Sequence, residues 1–339
     1  MNVRGTRSML EMAKNMSHLQ LFCHVSSAYC HVHERIIYEK AYDPPADPGK
    51  IVEICENLSE ADLSAFTHKI LDNYPNTYCF SKALSEGLVN KELNKLPIIL
   101  LRPSLVIPAL KDPIPGWTDT INGSIGFQIA AGKGILRTLY ADVTRYPDLI
   151  PVDITVNAFI CAAYDFLRHP ENKRPRNIYN LTTSDQYKVS WYDIIYIGRD
   201  VILNSIPLNW VVWYPGGSIK GTRFQHDCTF FIQHVLPSII VDSILWIFNR
   251  PPILLPIYRR IQKGFEILKF YNGKQWDFSN KESRTAIDSL NLYEKQKYNF
   301  HITKFDYKEY FRDCTLCARR YILKESDESI PRARKHMKM

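Results

Sequence analysis

Near the start of the chain the apolar residues Met9, Leu10 and Ala13 recur at helical spacing, which predicts a helix over residues 2–16. A short apolar run, Leu19 to Ser26, predicts a strand that ends in Ser26-Ser27-Ala28-Tyr29. A polar loop with Pro44, Pro45 and Pro48 follows, then one helical stretch from Ile51 to Leu71. Tyr74-Pro75-Asn76-Thr77 reads as a turn and helix start. The next helix runs from Thr77 to Lys95, with Leu84, Leu88 and Val89 facing one way. Leu96 to Val106 is an apolar run interrupted by Arg102 and Pro103, which suits a strand buried on both faces. Further helices are predicted over Ile125–Ala131 and Val152–Leu167, and a last strand over Arg176–Leu181. The order of helices and strands predicts an α/β domain with a doubly wound parallel sheet, Rossmann-like but partial, spanning residues 1–205.

From about Tyr187 the chain turns aromatic, with short helical segments broken by prolines, and residues 220–328 are expected to form a mainly α-helical C-terminal domain. Phe230 to Phe248 is strongly apolar but carries His234, Pro237 and Asp242; Ile253 to Tyr258 is a second apolar piece. Neither reaches the roughly 18–20 uninterrupted apolar residues of a spanning helix. Two readings stay open: a buried helical hairpin, or a hairpin lying in a membrane interface with Trp246 and Arg259-Arg260 at its edges.

Composition narrows the field. A 45% hydrophobic chain of 339 residues can bury a substantial core, and 23% charged residues argue against wholesale disorder. The net charge of +8 favours anionic partners, among them nucleotide cofactors, coenzyme A and anionic lipid. No recognition-helix or aromatic–basic pattern accompanies it, so nucleic acid is not an expected partner. The eight cysteines are scattered without framework spacing and read as reduced thiols of an intracellular protein; Cys314-x-x-Cys317 is taken as incidental.

The candidate chemistry centres on Tyr78-x-x-x-Lys82, a spacing that puts both side chains on one helix face. A phenol with a reference pKa of about 10 is a poor acid–base catalyst at neutral pH, and a nearby ammonium eases its proton loss. Such a pair suits protonation of a carbonyl that receives hydride. Ser27, at the C-terminal end of a predicted strand, lies where open α/β sheets hold ligands and is placed to orient that carbonyl. Other features carry less. Lys133 in Ala-Ala-Gly-Lys-Gly lacks P-loop spacing; a CoA or acyl contact and a glycine turn are both open, the turn preferred. His31-x-His33 reads as a solvated loop, His226 and His234 as polar positions of helices, and Trp210, Trp213 and Tyr214 as core. No metal site is expected.

Longer stretches carry a family resemblance that covers nearly the whole chain. HVSSAYC, YPNTYCFSKALSE, LRPSLVIPALKDPIPGW, AAGKG and LIPVDITVNA resemble the extended short-chain dehydrogenase/reductase module of alcohol-forming fatty acyl-CoA reductases. NWVVWYPGG, FIQHVLPSIIVD, PPILLPIY and RRYILKESDESIPRARKH resemble that family's helical C-terminal domain. The resemblance implies Ser27, Tyr78 and Lys82 as catalytic residues, with Tyr78 and Lys82 also beside the cofactor. It implies that Pro103, Ser104 and Val106 pass the nicotinamide. It further implies NADPH as cofactor, a long-chain acyl-CoA as substrate, a fatty alcohol as product, and an intracellular membrane location, peroxisome or endoplasmic reticulum.

One element of a dinucleotide fold is not found: no glycine-rich G-x-G-x-x-G turn precedes Ser27. The expectation is a chain lacking the first Rossmann strands and the pyrophosphate-binding turn. The alternative function is then an inactive remnant or a membrane-surface binding protein.

Overall fold

The computed structural model describes residues 1–121, 123–169, 177–183, 185–298 and 305–338. The chain divides into two compact units, each assembled from three segments: Met1–Val106, Asp148–Gln186 and Trp276–Ile302 in one, Ile107–Pro147, Tyr187–Gln275 and Thr303–Met339 in the other.

The first unit contains α1 (Asn2–Lys14), β1 (Phe22–Val25), β2 (Ile36–Ile37), α2 (Pro48–Asn57), α3 (Glu60–Leu71), α4 (Thr77–Asn90), β3 (Ile98–Pro103) and the start of β4 (Leu105–Ile107). After β6 (Leu149–Pro151) come α6 (Val152–Arg168), β7 (Ile178–Leu181), β9 (Asp277–Phe278), α11 (Lys281–Asp288) and α12 (Leu292–Lys297). Its sheet is parallel, in the order β1-β3-β7, with Phe22 opposite Ile98 and Leu100 opposite Ile178. Every residue of β3 is buried, as in a parallel strand covered on both faces. Ile98 and Leu100 pack with Leu10 of α1 and Val89 of α4, while α6 lies against β3 and β7. This is the Rossmann-like arrangement the apolar pattern predicts.

Several boundaries differ from the expectation. The stretch Ile51–Leu71 is two helices, because Ser59 leaves the helical conformation (φ −65°, ψ 159°) and its hydroxyl accepts the Asp62 amide at 3.2 Å. A capping side chain competes with continuation of the helix there. The apolar run after Leu96 is likewise two strands, broken at Ser104. The last strand is seen over Ile178–Leu181; Arg176 lies outside the described residues.

The second unit holds α5 (Ser124–Gly132), β5 (Thr138–Tyr140), α7 (Trp191–Asp200), β8 (Ser218–Lys220), α8 (Arg223–Phe230), α9 (Leu236–Ile247), α10 (Leu254–Asn272), α13 (Tyr307–Cys317) and α14 (Ile330–Lys338). β5 and β8 pair in parallel. Leu136, Phe230 and Phe265 form a core with Phe127, Tyr258 and Ile261 around them. A π-helical turn over Phe231–Val235 joins α8 to α9, giving one helical run, Arg223–Ile247, that is long and apolar enough to cross a membrane by length and composition.

The expected core position of the aromatic run is corrected, and three other features of this region take definite places. Trp210, Trp213 and Tyr214 are exposed rather than core; Arg137 stacks over Trp213 at 4.2 Å and occupies that ring's face. His226 and His234 are polar positions of helical segments, and both are buried. Cys314 and Cys317 are buried in α13, where burial pushes the Cys314 thiol up to about 12 and leaves it unreactive at neutral pH. Lys133 caps α5 beside Gly134 (φ +72°) and bonds Glu325 at 3.0 Å and the Asn209 carbonyl at 3.0 Å. Its ammonium is therefore satisfied by the protein itself.

Candidate active site

The site is assembled at the C-terminal end of β1. The Ser26 amide extends the ladder, donating to the Leu101 carbonyl at 2.8 Å. Ser27 is extended (φ −150°, ψ 141°) and starts a short 3-10 turn, its hydroxyl accepting the Tyr29 amide at 3.2 Å. On the far side, Asn76 caps α4 by accepting the Cys79 amide at 3.0 Å, which puts Tyr78 in the helix's first turn. The Tyr78 phenol lies beside the Ser27 side chain, near enough for that side chain to favour its ionised form. Lys82, one turn on, donates its ammonium to the Val25 carbonyl at 2.9 Å. Ser27, Tyr78 and Lys82 are thus brought together, from a strand end and one helix face.

The electrostatics differ from the simple picture of an ammonium acting on a phenol. Tyr78 is 52% exposed; partial burial pushes the phenol up, and the neighbouring Ser27 side chain, not Lys82, pulls it back. Burial pushes the Lys82 ammonium down, with Cys30 and Glu86 opposing.

Beneath these groups lies a polar cluster that reading the sequence did not single out. Glu86 is fully buried. It accepts from Arg102 Nε at 3.0 Å and Nη2 at 2.7 Å, contacts His31 Nε2 at 2.7 Å, and accepts from the Cys30 thiol at 3.1 Å. Arg102 also donates to the Tyr38 and Lys40 carbonyls at 3.1 and 3.0 Å and lies over the Tyr42 ring. Burial raises the Glu86 carboxyl, but Arg102 and His31 outweigh it and hold the group well below the usual carboxylate range. His31 is therefore a buried partner of Glu86 and not part of a solvated loop. Cys30, His31 and Glu86 offer ligand-type atoms within 4.8 Å of one another, yet the guanidinium of Arg102 already neutralises the carboxylate a cation would need. Two signals pointed here. Glu86 continues the four-residue step Tyr78–Lys82–Glu86, and Arg102 is a lone charge in an apolar strand.

Pro103 ends β3, beside β1 and at the same end of the sheet as Ser27, and Ser104 follows it. The Ser104 amide donates to the Leu181 carbonyl at 3.1 Å, but its buried hydroxyl finds no hydrogen-bond partner among the described residues. Val106, on β4, is exposed.

Comparison with known proteins extends these observations. The NAD_binding_4 family model, "Male sterility protein", matches residues 1–159, and the Sterile model, also "Male sterility protein", matches residues 233–325. The chain is 32% identical over 338 residues to fatty acyl-CoA reductase 1 of Xenopus laevis, covering 99% of this chain and 65% of that protein. It is 33% identical over 342 residues to the putative fatty acyl-CoA reductase CG8306 of Drosophila melanogaster, covering 100% of this chain and 66% of the relative. The chain belongs to the fatty acyl-CoA reductase family. It spans about two thirds of the length of these reductases, 65% of the Xenopus one. Two solved structures share the fold. One is UDP-glucuronic acid 4-epimerase from Bacillus cereus in complex with NAD (TM-score 0.50, 11% identity, covering 96% of this chain and 68% of that one). The other is the terminal R domain from the myxalamid PKS-NRPS pathway (TM-score 0.53, 14% identity, covering 96% and 64%). The N-terminal region of this fatty acyl-CoA reductase family member is thus a dinucleotide-binding domain of the short-chain dehydrogenase/reductase kind.

Proposed function

We propose that the chain reduces a long-chain fatty acyl-CoA to a primary fatty alcohol with two NADPH, releasing CoA. The observation that carries the reading is the meeting of Ser27, Tyr78 and Lys82 at one strand end, on a family background of reductases. The nicotinamide end of the cofactor fits the residues present: the unpartnered Ser104 hydroxyl and the exposed Tyr78 phenol offer polar groups beside the strand ends. No residue of this sequence is assigned to the pyrophosphate.

NADPH, when bound, supplies hydride to the carbonyl carbon. Ser27 holds the carbonyl oxygen and Tyr78 gives it a proton, so the thioester becomes a thiohemiacetal. The hydroxyl proton of that species returns to the Tyr78 phenolate as the C–S bond breaks, so CoA leaves as its thiolate, the aldehyde remains and Tyr78 is protonated again. A second reduction, with a second proton from Tyr78, yields the alcohol. Lys82, whose ammonium now donates to the Val25 carbonyl, would hold the cofactor's ribose and with it orient the phenol. Glu86 and Arg102 keep α4 seated against β3, and with it the relation of Tyr78 to Ser27.

The test is NADPH oxidation by the purified chain with palmitoyl-CoA, with hexadecanol identified as product. Loss of turnover in Tyr78→Phe supports the reading. Absence of NADPH binding by calorimetry would overturn it in favour of a non-catalytic role.

A further inference from the structure

β1 delivers Ser27 to the site, but the strand alone does not fix where Ser27 comes to rest. The Ser26 amide still bonds across to β3; from Ser27 on, the chain leaves the sheet in the short 3-10 turn Ala28–Cys30. The Cys30 amide donates to the Ser27 carbonyl at 3.2 Å, so the place of Ser27 follows that of the turn. Two anchors hold the turn. Tyr29 reaches to one side: its phenolic oxygen accepts the Asp148 amide at 3.2 Å, and its ring meets Trp276 and Phe278 edge to face, with centroids 5.7 and 5.3 Å away. Cys30 and His31 reach to the other side, both to Glu86, at 3.1 and 2.7 Å.

Only the second anchor refers the turn to α4. Glu86 continues the four-residue step from Tyr78 through Lys82 along that helix. Its charge does not need His31, because the Arg102 guanidinium already donates to both carboxylate oxygens, at 3.0 and 2.7 Å. A carboxylate only accepts, so His31 Nε2 carries the hydrogen and donates it. The imidazole is itself held in place. It is buried and stacks on Tyr42 with centroids 4.5 Å apart, and the Tyr42 hydroxyl accepts the Tyr38 amide at 2.8 Å. What the His31 bond adds beyond neutralisation is a fixed separation between the turn of Ser27 and the helix of Tyr78.

We propose that His31 is a positioning residue of the proposed active site: through Glu86 it ties the turn carrying Ser27 to the helix carrying Tyr78, and so sets the gap that receives the carbonyl oxygen. Cys30 is the weaker half of the same tie, since a thiol is a poor donor. His31 acts through Ser27 rather than on the substrate. Its loss frees the turn from α4 while the β1–β3 pairing and the bond of Lys82 to the Val25 carbonyl remain. Carbonyl binding and proton transfer are sensitive to such freedom, a misplacement of about 1 Å costing on the order of 10² in rate. The effect on turnover rests on the reductase reading; the effect on the gap between Ser27 and Tyr78 does not.

The test compares the full chain with His31→Phe, which keeps a ring against Tyr42 but has no donor, and His31→Gln, whose amide still donates. His31→Met replaces His31→Phe if the latter does not fold. With palmitoyl-CoA and with hexadecanal, kcat should fall about 10- to 100-fold in His31→Phe while KM for NADPH stays within about twofold, and His31→Gln should recover most of the loss. Parent-level kcat in His31→Phe overturns the proposal. So does a KM for NADPH that rises in step with the fall in kcat, which would mean a general loosening, and so does a glutamine variant no better than phenylalanine. A second readout needs no turnover. Fluorotyrosine placed at Tyr78 should show a fluorine resonance that moves in His31→Phe and returns in His31→Gln. An unmoved resonance in His31→Phe overturns the proposal whether or not the chain is active. A parent without turnover whose resonance responds supports the tie and sinks the reductase reading.

Discussion

Glu86 and Arg102 face each other inside the first unit, the guanidinium donating to both carboxylate oxygens at 3.0 and 2.7 Å. The pair ties α4, which carries Tyr78 and Lys82, to β3, which neighbours the strand leading to Ser27. Removing one member leaves the other charge buried. Glu86→Gln and Arg102→Met should each cost about 3–5 kcal/mol in urea unfolding, while the double variant loses less than their sum. The carboxyl is held below its unfolded value, so its stabilisation is present above the ordinary carboxylate range and is lost as pH falls through it. Parent and Glu86→Gln unfolding curves should therefore converge toward acid pH.

The three side chains of the proposed active site should separate kinetically. Tyr78→Phe removes the proton donor and should lower kcat by about 10²–10⁴. Ser27→Ala removes a donor to the carbonyl oxygen and should lower kcat by about 10² with a small change in KM. Lys82→Met should raise KM for NADPH as well as lower kcat, since its proposed contact is to the cofactor. Steady-state kinetics with acyl-CoA and with aldehyde check all three; an unchanged kcat in Tyr78→Phe would exclude it as the acid.

His234 predicts a pH dependence of stability. It is buried between Phe230 and Tyr258, with ring centroids 4.7 and 4.9 Å away, and neither ring nitrogen has a partner among the described residues. Burial, reinforced by Arg137 and His226, pushes its pKa down to about 4. The unfolded chain binds this proton near pH 6.5, so folding stability drops as pH falls from there to about 4. The drop attributable to His234 is about 2–3 kcal/mol. His24, also held at about 4 chiefly by burial, adds a parallel loss. In thermal melts from pH 7.5 to 4.5, His234→Phe should show the shallower decline.

Asp242 is the cap of the α9–α10 hairpin, accepting the amides of Ile253, Leu254 and Leu255 at 3.0, 3.0 and 2.8 Å. Asp242→Ala leaves three amides without their acceptor and should destabilise the turn by about 1–3 kcal/mol. The expected signature is faster hydrogen exchange and protease cleavage around residues 248–255, with Asn restoring part of the protection because its carbonyl still accepts. Unchanged exchange at Ile253–Leu255 would refute the capping role.

Much of the local structure was legible in the residues. The apolar run of β3 marked a strand covered on both faces, and the four-residue step from Tyr78 to Lys82 set both on one side of a helix. These are properties of neighbouring residues, since side-chain period follows directly from backbone geometry. The family resemblance likewise rested on contiguous motifs. What tertiary structure decided is who meets whom across the chain. The approach of Ser27 to Tyr78 depends on β1 pairing with β3 in one register. The burial of Arg102, a charge in an apolar run, depends on Glu86, Tyr38 and Lys40 arriving from other segments. The split of residues 51–71 was decided by a single capping hydroxyl, and the exposure of Trp210 and the burial of His234 by which surfaces the second unit had already filled. Spacing along the chain sets the direction of a side chain; only packing sets what lies in that direction.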